Sequence, residues 1–191
     1  MKEIEKRGPL SSNQLDRLTI FLEKEGVLVK QESEKVIFFE TKNFPSIGDF
    51  KSGLARISLK SDKKESYIRI KEGNPSATTR SEYSVRLNTD DISNMIYILS
   101  RLGLTHGFYR PTNRKDYQYA NLTISIKTNC VMGDHFEIEL NDVNLDLEEE
   151  IQNLLHRIEL NFWTTEEYKY RIQNLMKTNP AINIIESKIF A

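Results

Sequence analysis

The chain is short of cysteine, of long apolar runs and of any excess of one charge, and each shortage removes a class of protein. One cysteine, Cys130, is present among 191 residues, so no internal disulfide can form, which fits a reducing cytoplasm. Met1 to Leu10 holds no apolar core for a secretory signal, and no apolar run approaches bilayer-spanning length. The formal net charge is -1, so the totals do not indicate a nucleic-acid binder, although a balanced total can hide a basic interior. No internal repeat and no low-complexity tract occurs. At 38% hydrophobic and 29% charged residues, the chain is polar for a globular protein without being disordered, and its length is that of one ordinary domain.

What is present begins with Glu3-Ile4-Glu5-Lys6-Arg7 and its echo, Glu137-Ile138-Glu139. In an extended strand side chains alternate faces. Glu3, Glu5 and Arg7 then share one face, as do Glu137 and Glu139. Four carboxylates on two strands gather only if something bridges them, because like charges in one site repel. A hard divalent cation, which takes oxygen ligands, is the natural bridge. The plainer alternative is two edge strands, each with a solvated charged face.

Read in order, residues 2–8 form a strand ended by Pro9. Ser11 or Ser12 caps a helix with the stripe Leu15, Leu18, Phe21 and Leu22, ending at Gly26. Residues 27–40 are extended and 41–52 are loop. Strands at 54–60 and 67–71 form a hairpin about a turn at 61–64. Residues 73–79 are loop and 80–88 another strand. Thr89 or Asp90 caps a helix with the stripe Ile92, Met95, Ile96 and Leu99. Residues 105–127 give two extended pieces, around Phe108-Tyr109 and from Tyr117 to Lys127, and Phe136 to Leu140 is the last strand. Helices over 145–160 and 165–177 close the chain. Trp163 reads as a packing anchor, Tyr117 and Tyr119 as strand packing, His106 and His135 as surface residues, and Cys130 as structural.

The count is about eight strands, with helices after the first and fifth and two at the end. Many strands pair an apolar face with one carrying fixed charges of both signs: Arg56, Ser58 and Lys60; Arg69 and Lys71; Arg80, Glu82, Ser84 and Arg86. An inward charged face is costly unless the interior is wet or holds a charged ligand. An α+β fold with a closed antiparallel barrel, helices outside and a polyanion with its metals inside, meets that cost.

In this pattern the chain resembles the CYTH family, the triphosphate tunnel metalloenzymes, whose members include class IV adenylate cyclases, thiamine triphosphatases and inorganic triphosphatases. Glu3-Ile4-Glu5-Lys6-Arg7 resembles the family's E-x-E-x-K with Arg for Lys. Leu54-Ala55-Arg56-Ile57-Ser58 resembles L-R-x-R, Ile68-Arg69-Ile70-Lys71 resembles L-x-L-K, and Arg80-Ser81-Glu82 resembles R-x-E. Thr112-Asn113-Arg114-Lys115-Asp116-Tyr117 is similar to K-x-R-x-x-Y, and Met132 to Glu139 is similar to L-G-x-x-x-E-x-E. The set runs in order over residues 1–141. Three positions depart from it: Ser58 stands for the second Arg, Thr112 for the Lys (with Arg110 nearby), and Lys127 where the family often has an acidic residue.

The resemblance implies a single domain over 1–191, with an eight-stranded tunnel barrel over 1–141 and C-terminal helices over 142–191 packed on it, a dimer contact through them remaining open. It implies Mg²⁺ or Mn²⁺ held by Glu3, Glu5, Glu137 and Glu139, with Glu82 joining, and Glu5 and Glu139 in catalysis. Phosphate falls to Arg56, Arg69, Lys71, Arg86 and Arg114, and in second rank to Arg7, Arg80 and Lys127. Arg suits bidentate phosphate contact and Lys a point charge. The implied activity is metal-dependent hydrolysis of a small triphosphate, where positioning and electrostatics do most of the work. A class IV-like cyclase making cyclic AMP and pyrophosphate from ATP is the alternative. A degenerate tunnel that binds a polyphosphate or nucleotide without turnover is the third reading, motivated by Ser58 and Lys127. The implied setting is cytoplasmic, with no membrane and no nucleic-acid partner.

Overall fold

The alternation before Pro9 forms strand β1, Lys2–Pro9. Ser11 then caps helix α1, Ser12–Glu25, reciprocally: its hydroxyl accepts from the Gln14 N–H, and the Gln14 side chain accepts from the Ser11 N–H. Strands β2 (Val27–Glu40), β3 (Leu54–Lys60), β4 (Glu65–Glu72) and β5 (Thr79–Asn88) follow. Helix α2 (Ile92–Arg101) is entered through a 3-10 turn, Thr89–Asp91. The cap expected at Thr89 or Asp90 therefore falls at Asp91, which makes no capping hydrogen bond from its side chain. Strands β6 (His106–Tyr119), β7 (Leu122–Thr128) and β8 (His135–Leu140), helices α3 (Glu148–Ile158) and α4 (Thr165–Thr178), and the short strand β9 (Ile182–Asn183) complete the chain. This computed structural model describes residues 2–40, 54–60, 65–72, 79–140, 148–178 and 182–186. The loops expected at 41–52 and 61–64, most of the one at 73–79, and the helix start at 145–147 lie outside the described residues.

Two boundaries differ from the sequence expectation. Tyr117 belongs to β6 rather than to the strand ending at Lys127, because the chain reverses at Ala120, whose φ of 48 lies in the left-handed region. The added strand β9 pairs with His106 and Gly107 at the start of β6; two residues are too few to show alternation.

All strand pairings are antiparallel, in the order β2-β3-β4-β5-β1-β8-β7-β6-β9, and β2 also pairs with β6. Each of β1 to β5, β7 and β8 is thus hydrogen-bonded to two others and β6 to three, and the mixed α+β class is as expected. One face of β6, β7 and β8 (Tyr117, Ile124, Ile126, Phe136 and Ile138) packs against Leu18, Phe21 and Leu22 of α1 and Ile151, Leu154 and Ile158 of α3. A second cluster joins Ile37 to Ile92 and Ile96 of α2 and to Ile184 beyond β9. Each such side chain contributes about 1.5–3 kcal/mol on burial. The α3 stripe packs on the sheet, and Tyr117 and Tyr119 are packing residues, the latter edge-on to Phe21 at 5.3 Å. Among the described residues no helix is long and apolar enough to cross a membrane.

Gly8 is where the end of β1 meets the tail. A Cβ there would lie 2.1 Å from the Asn161 carbonyl oxygen and 2.5 Å from the Phe136 ring. Overpacking against backbone cannot relax by a rotamer change. Gly8→Ala is expected to lower stability by about 2 kcal/mol or more in urea unfolding, and a wild-type midpoint would contradict this contact.

Candidate functional site

Register gathers the charged residues. Glu5 stands opposite Glu139 and Arg7 opposite Glu137. Across the next ladder Glu137 faces Ser125, and His135 faces Lys127. Lys127 faces Arg114, which faces Glu32. On the other flank Glu3 pairs with Arg80, Lys71 with Glu82, and Arg69 with both Ser84 and Arg56, while Arg86 pairs with Tyr67. Directly opposed residues share a face. The expected site residues on all these strands therefore fall on one face, opposite to that packed by α1 and α3. The side chains of Glu3, Arg56, Lys71, Arg80 and Glu82 lie outside the described ones, and for these the backbone register alone is given.

At the centre, two buried carboxylates are held by two cations. Arg7 Nε donates to Glu137 Oε1 at 3.0 Å and to Glu5 Oε1 at 3.1 Å, and Arg7 Nη2 donates to Glu5 Oε2. Lys127 Nζ donates to Glu137 Oε2. Burial, and then the neighbouring Glu137, pushes the Glu5 carboxyl up to about 7. Burial acts on Glu137 in the same sense, but Lys127 and Arg7 outweigh it and hold Glu137 well below the usual carboxylate range. Burial lowers the Lys127 ammonium against the pull of Glu137. Burial also opposes the charge on Arg7, but Tyr168, Glu5 and Glu137 more than offset it.

Arg114 is braced along its own strand. Its Nε donates to Asp116 Oδ1 at 2.6 Å and its Nη2 to Ser125 Oγ at 3.2 Å, while Ser125 Oγ donates to Asp116 at 2.7 Å. This fixes the guanidinium on the charged face two residues from the buried Thr112. Arg69 is half-buried, its guanidinium 4.9 Å from the centroid of the Tyr67 ring, and Arg86 is exposed. Glu139 is half-buried.

Sequence reasoning missed two neighbours of this cluster. His135, expected at the surface, is 2% exposed: it opens β8 in register with Lys127, so it lies inside the charged face rather than on the preceding turn. Its Nδ1–H donates to the Gly133 carbonyl at 2.9 Å, its Nε2 lies 3.7 Å from Glu137 Oε1, and its ring packs on Trp163. Burial opposes protonation of His135, but Cys130 and Glu137 raise its pKa; burial opposes the Cys130 thiolate, yet His135 and Thr112 lower that pKa. The second is Tyr168 of α4, whose ring lies 5.3 Å from the Arg7 guanidinium, while the backbone N–H of Trp163 donates to the Arg7 carbonyl at 2.8 Å. The run Phe162-Trp163, with Tyr168 five residues on, was the available signal. His106 is exposed as expected.

A pocket of about 290 Å³ adjoins the ion pairs, lined by Glu5, Arg7, Phe162, Trp163 and Tyr168 among others. A larger cavity, about 810 Å³, lies between α1 and the sheet and reaches Glu32 and Arg114 but none of Glu5, Glu137 and Lys127. The smaller pocket is the one lined by the Glu5 and Arg7 ion pair. Among the described residues no three His, Cys, Asp or Glu are grouped to hold a metal ion. Both oxygens of Glu5 and both of Glu137 are engaged by Arg7 or Lys127. Among the described residues, the carboxylates of Glu5 and Glu137 are thus committed to protein cations, an arrangement that does not fit a resident divalent ion on these two groups.

No protein-family model and no curated protein matches the chain. Solved structures do. The PH1819 protein of Pyrococcus horikoshii OT3 superposes with a TM-score of 0.68 over 92% of this chain and 99% of that one, at 17% identity. HpAC1 from Hippeastrum, described as having a dominant triphosphatase activity, matches at TM-score 0.59 over 84% and 89%, at 17% identity. The fold is that of the CYTH, or triphosphate tunnel, proteins. A chain of the Schizosaccharomyces pombe Mediator head module also matches, at TM-score 0.55 and 10% identity over 93% and 96%. CYTH architecture therefore does not by itself carry an activity, and the face must be argued from its own residues.

The raised Glu5 carboxyl makes stability depend on pH. Its folded value, about 7, lies above the ordinary 4.5, so its contribution is complete below pH 4.5 and is lost as pH rises through 7. Glu5→Gln removes that loss. It is expected to leave the melting temperature near wild type at pH 4.5 and to raise it at pH 8, where the gain in stability is on the order of 3 kcal/mol at most. Equal melting curves at both pH values, in EDTA, would contradict the buried Glu5–Glu137 pair.

Proposed function

We propose that the chain binds a small triphosphate on this charged face and hydrolyses it, the ring of paired strands forming an eight-stranded barrel around the ligand. The observation that carries the reading is the convergence of Arg7, Lys127 and Arg114 on one face with the carboxylates of Glu5, Glu137 and Glu139. The triphosphatase activity attributed to HpAC1 supports it by analogy of fold. Arg7 and Lys127 exchange carboxylate oxygens for phosphate oxygens when the triphosphate enters, and Arg114, with Arg56, Arg69, Lys71, Arg80 and Arg86 on the far flank, holds the remaining charge. Mg²⁺ or Mn²⁺ arrives as part of the substrate, the metal complex of the triphosphate. Glu5, with its carboxyl near 7, takes the proton of the attacking water as the oxygen bonds to the terminal phosphorus. The bridging P–O bond then breaks and its electron pair leaves with the diphosphate. Glu139, opposite Glu5, orients that water.

One observation favours a second reading, binding without turnover. Lys127 stands in an ion pair with Glu137 where the family often has an acidic residue, which subtracts one carboxylate from the reacting end. Turnover on inorganic triphosphate, ATP and thiamine triphosphate, with Mg²⁺, Mn²⁺ or EDTA and chromatographic separation of products, decides between them. Phosphate release that falls about 100-fold or more in Glu5→Gln, at unchanged fold, is the expected result. Cyclic AMP with pyrophosphate would replace hydrolysis by cyclisation. No product, with triphosphate still raising the melting temperature, would select the binding protein.

A further inference from the structure

The carboxylates of β1 and β8 already have their counter-charge, and both cations come from this chain. Arg7 spans Glu5 and Glu137 through Nε and Nη2, and Lys127 closes on the remaining Glu137 oxygen. Glu137 is 8% exposed, so its two partners are not exchangeable with bulk salt. Arg7 is also fixed from behind. It is backed by the Tyr168 ring and its carbonyl accepts from the backbone N–H of Trp163. Lys127 sits in the β7 ladder between Arg114 on β6 and His135 on β8. A divalent ion entering here needs several carboxylate oxygens within about 2.0–2.6 Å. It would have to displace an ammonium and a guanidinium from those oxygens and then lie beside both.

We infer that Lys127 and Arg7 replace a resident divalent ion, so that a polyphosphate is held by protein cations together with whatever ion it brings. The ligand class is an inorganic or organic triphosphate, recognised without prior metal loading. The inference rests on the triphosphate reading for its ligand, but its metal half stands on the ion pairs alone.

The test separates the two halves. Mn²⁺ is titrated into the full chain without phosphate and followed by the loss of the free-ion electron paramagnetic resonance signal. Wild type is expected to bind none below about 1 mM, whereas Lys127→Glu gains a site at least about tenfold tighter, and Mn²⁺ raises the melting temperature of that variant. Glu137→Gln in the Lys127→Glu background abolishes the gain. Stoichiometric Mn²⁺ binding by wild type below about 100 μM, lost in Glu137→Gln, would overturn the inference. Lys127→Gln, which keeps a hydrogen-bonding side chain, guards against a folding defect in the charge reversal. It is expected to weaken metal-free triphosphate binding about tenfold or more, and unchanged affinity would count against the replacement. If triphosphate has no effect with or without Mg²⁺ and wild type still binds no Mn²⁺, the proposed function fails while the cation replacement stands.

Discussion

Two carboxylates taken out of water on neighbouring strands, Glu5 and Glu137, are the constraint on which this structure turns. Neither tolerates burial unpaired, and the fold supplies Arg7 from the same strand as Glu5 and Lys127 from the strand beside Glu137. That pairing fixes the register of β1, β8 and β7, since a slip of one residue would turn every charge onto the apolar face. The same alternation points Tyr117, Ile124, Ile138 and Phe136 at α1 and α3. The packed core and the charged face are thus two readings of one pattern.

The tail is bound to this arrangement and is more than a lid on the sheet. Residues 162–171 bring the backbone N–H of Trp163 to the Arg7 carbonyl, Tyr168 to the Arg7 guanidinium, and Arg171 both over the Trp163 ring and to the Met132 carbonyl. Lys6, on the opposite face of β1, is held by Glu148 of α3 and lies 5.4 Å from the centroid of the Phe162 ring. The strand carrying the first acidic motif is therefore gripped on both faces by C-terminal residues. Buried ion pairs of this kind come close to breaking even in stability; under the proposed function these cations and carboxylates exchange partners when a polyanion enters.

Much of the fold was legible because alternation and capping are local. The Glu-Ile repeat, the Leu122 to Lys127 alternation and the Ser11–Gln14 box each announce their element within a few residues. Elements without a local signal were missed: the two-residue β9, the 3-10 entry to α2, and the reversal at Ala120, where an alanine takes a backbone conformation that glycine or asparagine usually marks. The candidate residues were legible as types on a face. Their partners were not, because partnership depends on cross-strand register. Lys127 reads as a lone cation until β7 is set against β8 and brings Glu137 to it, and His135 reads as a turn residue until β8 is seen to begin there. Tyr168 reaches Arg7 from far along the chain, so the aromatic residues of the tail were legible as types but not as partners of Arg7.

The most direct measurement is a crystal structure of the chain with inorganic triphosphate. The account predicts phosphate oxygens on the charged face, within hydrogen-bond distance of Arg7 Nη2 and Lys127 Nζ, with both side chains drawn away from Glu5 and Glu137. Triphosphate found instead in the cavity between α1 and β2, or on the outer surface with the Arg7 and Lys127 ion pairs undisturbed, would contradict it.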